Sequence, residues 1–248
     1  MNILGIIPAR YGSTRFPGKP LVDIAGKPMI QRVYERTSIA LDKVVVATDD
    51  KRIQKVVEAF GGKVIMTSKK HKSGTDRCAE AADIYIAETK EKVDVIINIQ
   101  GDEPFIYPEQ IKSLAGIFKK KRAQIGTLVK PINNAKDIFD ENKPKVVLNA
   151  KKEAIYFSRS PIPFVRGEKR DKWIKHKYYK HIGIYGYRYD ILKEITKLKP
   201  SYLENLESLE QLRWIENGYS IRVEETEHES ISIDTRKDLK KLNEAGLL

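Results

Sequence analysis

The sequence predicts an α/β fold: a doubly wound, mainly parallel sheet with an inserted smaller lobe. Three observations carry this expectation. Near-continuous apolar runs of strand length recur at 2–8, 43–50 and 93–99, the pattern of strands buried on both faces. Between them lie segments with apolar residues at helical spacing, long enough to cross from one parallel strand to the next. The second half is less regular, and the stretch around 131–180 reads as an insertion projecting from the sheet.

NILGIIP (2–8), ended by Pro8, is the first strand. Met29, Ile30, Val33, Tyr34 and Thr37 share a helical face within 28–41, with Pro28 in the first turn. KVVVATDD (43–50) is a second strand, and its two terminal acids start a helix with Ile53, Val56, Val57 and Phe60 on one side. Gly61 and Gly62 end that helix, and KVIM (63–66) is a short strand. A helix begins near Thr75, VDVIINI (93–99) is the next strand, and Pro108 opens a helix running to KKKR (119–122). Further strands are expected at 125–129, 145–149, 154–158, 181–187 and 219–225, and helices at 189–198, 204–217 and 235–244. The whole chain, 1–248, reads as one domain: a first part over 1–130, the insertion over 131–190, and a return to the core over 191–248.

With 41% hydrophobic and 32% charged residues, the 248-residue chain is expected to fold around its own core rather than stay disordered. No apolar run approaches the length of a spanning helix, and the N-terminus lacks the basic and small-residue features of a signal peptide, so no membrane partner is expected. The single cysteine, Cys78, excludes an intramolecular disulfide framework and fits a reducing, cytoplasmic setting. The net charge of +12 comes largely from scattered lysines, the pattern of a solvated surface that also attracts polyanions. Its densest stretch, RGEKRDKWIKHKYYKH (166–181), interleaves Trp173, Tyr178 and Tyr179 with seven cations. It reads either as a base-stacking platform or as a loop over a small anionic substrate. RNA-binding signatures are missing, and no nucleic-acid partner is expected.

The loop after the first strand, Ala9 to Pro20, holds two glycines, three cations and hydroxyls. Backbone N–H groups of such a loop can wrap a triphosphate while Arg10, Arg15 and Lys19 neutralise it. It is not a Walker A loop, since five residues separate Gly12 from Gly18 and Lys19 precedes proline. No G-x-G-x-x-G marks a dinucleotide site. Gln100-Gly101-Asp102-Glu103-Pro104 follows a buried strand directly, which puts a carboxylate at the carboxyl edge of the sheet. A hard cation such as Mg²⁺ takes one or two carboxylates plus substrate phosphates, and Asp102 is the leading candidate ligand. Thr235 and Asp238 resemble a capping box, an arrangement that leaves Asp234 directed at the site; alternatively Asp234 is itself the cap.

These segments together resemble a known family. IIPARYGSTRFPGKPL (6–21), GKPMI (26–30), VATDD (46–50), HKSGTDR (71–77), NIQGDEP (98–104), KVVL (145–148), YFSR (156–159), HIGIYGYR (181–188), LEQLR (209–213) and the closing DT..DL (234–239) run in the order found in the 3-deoxy-manno-octulosonate (KDO) cytidylyltransferases. These belong to the nucleotidyltransferase superfamily, with its Rossmann-like sheet. The resemblance implies CTP and KDO as substrates, CMP-KDO and pyrophosphate as products, Mg²⁺ as cofactor, and a homodimer. It implies a CTP site of Ala9, Arg10, Ser13, Arg15, Lys19, Ser73, Gly74 and Arg77, with Lys19 and Arg15 also stabilising the departing pyrophosphate. Asp102 and Asp234 are the implied metal pair and, with Lys19 and Arg15, the catalytic set. The implied sugar site is Gln100, Arg159, His181, Tyr185, Glu210 and Gln211. By residue pattern alone, Ser73 or Thr75 also reads as a helix cap, His181 as a structural histidine and Glu210 and Gln211 as surface residues. The 8-amino analogue of KDO is the nearest rival substrate. A sugar-phosphate pyrophosphorylase is a broader alternative, whose acceptor pocket needs a phosphate cluster that the Glu210–Gln211 pair does not suggest.

Overall fold

The computed structural model describes residues 1–12, 16–229 and 231–244. The chain divides into two compact units, Met1–Lys112 with Ser230–Leu248, and Ser113–Glu229. The expected insertion over 131–190 falls inside the second unit.

The first unit is built on parallel strands. β1 (Ile3–Ala9) is followed by a 3-10 turn at Lys19–Leu21, a two-strand hairpin of β2 (Asp23–Ile24) and β3 (Lys27–Pro28), and α1 (Met29–Ser38). Then come β4 (Val44–Thr48), α2 (Lys51–Ala59), β5 (Val64–Met66), α3 (Gly74–Thr89) and β6 (Val95–Asn98). α4 (Pro108–Ile117) leads along the chain into the second unit. β1 pairs in parallel with β4 on one side and β6 on the other, and β4 pairs with β5. The apolar runs do what their composition requires: all of β4 and β6 is buried, as are Leu4, Ile6 and Ile7 of β1. The β2–β3 turn uses Ala25 and Gly26 at φ 50° and 81°, the positive pair that a two-residue hairpin needs. Asp50 caps α2 through the Arg52 N–H, and its bond to the Arg52 side chain holds its carboxyl down at about 2.

The second unit is mixed. It contains β7 (Ile125–Pro131), α5 (Ala135–Phe139), β8 (Lys145–Leu148), β9 (Ala154–Ser158) and β10 (Tyr179–Arg188), then α6 (Tyr189–Ile195), α7 (Tyr202–Glu207), α8 (Gln211–Glu216) and β11 (Ile221–Glu225). β7 pairs in parallel with β11 and antiparallel with β10, while β8 pairs antiparallel with β10 and β9. Two expectations are corrected here. The single helix predicted over 204–217 is two helices, because Ser208 adopts φ 50° and ends α7. The 166–181 segment does not present its rings as a stacking platform. It holds a 3-10 turn at Arg170–Lys175, and Trp173 and Tyr178 are buried in a cluster with Ile132 and Ile138. Two of its three aromatic rings are therefore core, stacked 6.4 Å apart, with the Tyr178 hydroxyl donating to Pro163 O at 2.6 Å. Among the described residues no helix is long and apolar enough to cross a membrane.

Candidate active site

In the first unit, the carboxyl end of β1 opens into a cleft lined by Pro8, Ala9, Arg10, Lys19, Ser73, Gly74, Arg77, Gln100, Asp102 and Asp234. The loop that delivers Lys19 is fixed from two directions. Gly18 sits at φ 73° and its N–H donates to Tyr11 O at 2.9 Å, closing the loop. A side chain there would be strained by that φ and would press on the Tyr11 ring. Phe16 anchors the loop from below in a cluster with Ile24, Met29, Ile233 and Leu242. Ser13 and Arg15, expected in the triphosphate cradle, lie outside the described residues.

Lys19 Nζ donates to Asp102 Oδ2 at 2.7 Å and to Asp234 Oδ1 at 3.1 Å. Two acids 132 positions apart thus converge on one cation. What brings them together is a backbone bond, Ile233 N to Asp102 O at 2.9 Å, with the Ile233 side chain locked in the Phe16 cluster. Asp234 is not the cap of the C-terminal helix (Arg236–Glu244). Thr235 and Asp238 cap it reciprocally: Thr235 N–H donates to Asp238 Oδ2 at 2.8 Å and Asp238 N–H to Thr235 Oγ1 at 3.3 Å. The Asp234 carboxylate therefore faces Lys19. Gly101, which sequence reasoning left unexplained, permits the close approach of this loop to β1: a Cβ there would lie 2.8 Å from Pro8 O.

Ser73 is the N-cap of α3, accepting from Asp76 N–H at 3.1 Å, so the helix start and Gly74 are presented at the cleft. Arg77, only 1% exposed, donates to Thr67 Oγ1 at 2.5 Å and to Asp49 Oδ2 at 3.1 Å. Its guanidinium ties the ends of β4 and β5 to α3. Neither Asp49 nor Thr67 was legible as its partner, since 28 and 10 positions separate them from Arg77. Gln100 lies in the same cleft beside Asp102.

The other five expected sugar residues are in the second unit. β10 carries a bulge: Ile182 opposes Leu128 but Tyr185 already opposes Thr127. On a regular strand, residues four apart would be separated by about 13 Å. The bulge brings the rings of His181 and Tyr185 to 5.2 Å, on the same face. His181 Nε2 lies 3.0 Å from Thr127 Oγ1, and its ring meets Phe157 edge-on. Burial pushes the imidazole pKa down to about 3 and, with the charge of Glu210, raises that of the Tyr185 phenol well above its usual value. The pair is a neutral imidazole and an intact phenol. Glu210 and Gln211 open α8, and Trp214 of that helix packs edge-on to Tyr185 at 5.1 Å. Tyr185 OH and Gln211 Nε2 are buried and make no hydrogen bond among the described residues.

Arg159 works on the break between α7 and α8. Its Nε donates to Glu207 O at 2.7 Å, Nη2 to Ser208 O at 3.3 Å and Nη1 to Glu141 O at 2.9 Å. The first two supply donors to carbonyls that a continuous helix would have bonded internally. Glu207 in turn accepts from Ser158 Oγ at 2.6 Å and from Arg159 N–H at 2.9 Å. Lys145 of β8, unnoticed in the sequence, is fully buried and donates to Asp140 O at 2.7 Å, next to the carbonyl that Arg159 holds. Burial lowers its pKa. Among the described residues no group of three or more His, Cys, Asp or Glu side chains is placed to hold a metal.

A profile of the family described as cytidylyltransferase matches residues 4–228. A 3-deoxy-manno-octulosonate cytidylyltransferase from Parabacteroides distasonis is 58% identical over 97% of this chain and 96% of its own length. One from Phocaeicola vulgatus is 55% identical over 96% and 95%. The solved structure of a CMP:2-keto-3-deoxy-manno-octonic acid synthetase complexed with CTP superposes with a TM-score of 0.89 at 43% identity, covering 100% of both chains. The fold is therefore the mostly parallel, Rossmann-like nucleotidyltransferase sheet with an inserted lobe, and the chain belongs to the 3-deoxy-manno-octulosonate cytidylyltransferases of the cytidylyltransferase family.

Proposed function

We propose that this chain transfers CMP from CTP to the anomeric hydroxyl of KDO, releasing pyrophosphate and supplying CMP-KDO for lipopolysaccharide assembly. The observation that carries the reading is the convergence of Lys19, Asp102 and Asp234 at the end of β1 in a chain of this family. Displacement at a phosphorus by a sugar hydroxyl needs alignment and charge neutralisation more than covalent help. Arg10 and Lys19 supply positive charge for the triphosphate, with Ser13 and Arg15 assigned to the same cradle. Lys19 then meets the charge that grows on pyrophosphate as it leaves. The backbone at Pro8 and Ala9, with Ser73 and Gly74, suits an amide and carbonyl reading of cytosine, and buried Arg77 holds that wall in place.

The sugar reading rests on polar groups that are buried without hydrogen-bond partners among the described residues. Tyr185 OH and Gln211 Nε2 can bond sugar hydroxyls, joined by Glu210 and His181. Three of Arg159's five N–H donors hold carbonyls, and we assign the remaining two to the sugar carboxylate. Asp102 and Asp234 already share one cation, and their hard oxygen donors suit Mg²⁺ completed by substrate oxygens. The ion would supply charge neutralisation at the reacting phosphate. No protein side chain is needed as a covalent nucleophile. We further read 1–248 as one nucleotidyltransferase domain acting as a homodimer in the cytoplasm, a setting supported by a single cysteine, Cys78, which is buried.

The test is pyrophosphate release with each of four nucleoside triphosphates crossed with KDO, its 8-amino analogue and sialic acid. CTP with KDO is expected to lead, with CTP over UTP by ten-fold or more. Equal rates with UTP and a sugar phosphate would move the chain to the pyrophosphorylases, and a lead for the 8-amino sugar would reassign the acceptor.

A further inference from the structure

Thr127 sits on β7 with no exposed surface, opposite Tyr185 in the ladder with β10. Its hydroxyl is surrounded by three polar atoms of the bulge: Ile184 O at 2.8 Å, Ile182 O at 3.3 Å and His181 Nε2 at 3.0 Å. A hydroxyl has one proton to give. The two carbonyls can only accept, and 2.8 Å is the distance of a normal O–H···O bond, so the proton goes to Ile184 O. Were it given to the imidazole instead, two oxygen lone pairs would face each other at 2.8 Å. Towards His181 the hydroxyl can then act only as acceptor, which requires a proton on Nε2.

From this geometry we propose that Thr127 is a positioning residue that holds His181 as its Nε2–H tautomer and presents Nδ1 as a hydrogen-bond acceptor to a hydroxyl of the sugar. The inference rests on the reading of His181 as a sugar ligand. His181 as a residue keeps some exposed surface, and with Nε2 bonded to Thr127 its other nitrogen is the one left for substrate. The low imidazole pKa agrees, since an imidazolium has no acceptor nitrogen. The bulge has a use in this arrangement. It points two backbone carbonyls at a single buried hydroxyl and so fixes which way that hydroxyl's proton points.

The tautomer is measurable on the free protein by long-range proton–nitrogen correlation of its four histidines, with the His181 signals assigned by their loss in His181→Gln. Protonated Nε2 and unprotonated Nδ1 are expected at pH 7.5. In Thr127→Val the His181 signals should shift to a mixture of tautomers, and KM for KDO should rise ten-fold or more while KM for CTP stays within two-fold. Thr127→Ser should restore both. A wild-type Nδ1–H tautomer would overturn the proposal, as would a Thr127→Val protein that keeps the wild-type tautomer or the wild-type KDO KM. The wild-type spectrum decides even if the valine variant fails to fold. Failure of the KDO reading would show separately, as absence of pyrophosphate release by the wild-type chain.

Discussion

In the first unit's cleft the charged groups hold one another: Lys19 lies between Asp102 and Asp234, and Arg77 between Asp49 and Thr67. In the second unit, by contrast, Tyr185 OH and Gln211 Nε2 are buried with no hydrogen-bond partner among the described residues, beside a histidine that burial keeps neutral. The difference matches the roles proposed for the two sites. A buried unpaired charge costs far more than a buried unpaired neutral group, so a site for a triphosphate keeps its charges paired until the ligand arrives. A site for a polyhydroxylated sugar can leave neutral donors unsatisfied at about 1–3 kcal/mol each, and that cost is recovered when hydroxyls bind.

The largest expected effect comes from breaking the charged set. Asp102→Asn and Asp234→Asn should each lose about two orders of magnitude or more in turnover, about 3 kcal/mol of transition-state stabilisation. Thermal unfolding should change little, because the Thr235–Asp238 box caps the last helix without the Asp234 side chain. Near-wild-type turnover in Asp234→Asn would remove that carboxylate from the catalytic set. An intermediate effect is expected in the neutral set. Tyr185→Phe deletes a hydroxyl that makes no hydrogen bond among the described residues, so stability should hold or rise by up to about 1 kcal/mol while KM for KDO rises about ten-fold. A loss of stability with unchanged KM would show that the hydroxyl is satisfied in the free protein.

The smallest effect is on stability with pH. His181 has a folded pKa of about 3 against an ordinary value of 6.5, so below pH 6.5 the unfolded state binds a proton that the folded state refuses. The contribution of the neutral ring is fully present above pH 6.5 and is lost progressively as pH falls from 6.5 towards 3. Melting temperatures of wild type and His181→Gln should therefore converge between pH 7.5 and 5. Parallel curves would mean that the ring titrates normally.

Much of this was legible. The strands of the first unit announced themselves as apolar runs because they are buried on both faces, and the loops after β1 and β6 could be picked out because cations and carboxylates directly follow those runs. Less of the second unit could be read. The apolar spacing through Leu206, Leu209 and Leu212 continues across Ser208, so the break there was hidden; it depends on Arg159, 49 positions away, reaching the Ser208 carbonyl. The contact of His181 with Tyr185 depends on a bulge that leaves no mark in sequence beyond Gly183. Arg77 was expected in the CTP site by resemblance, but its burial depends on Asp49 and Thr67, which arrive from other strands' ends.

The central claim is that the charged cleft activates CTP for a hydroxyl of an acidic sugar. Phosphorus-31 NMR of the chain with CTP, KDO and Mg²⁺ tests it most directly. The account predicts loss of the three CTP resonances with stoichiometric growth of pyrophosphate and of one phosphodiester signal, that of CMP-KDO, dependent on both sugar and metal. Release of CMP without the sugar diester, or a two-phosphorus sugar nucleotide formed from a sugar phosphate, would contradict it.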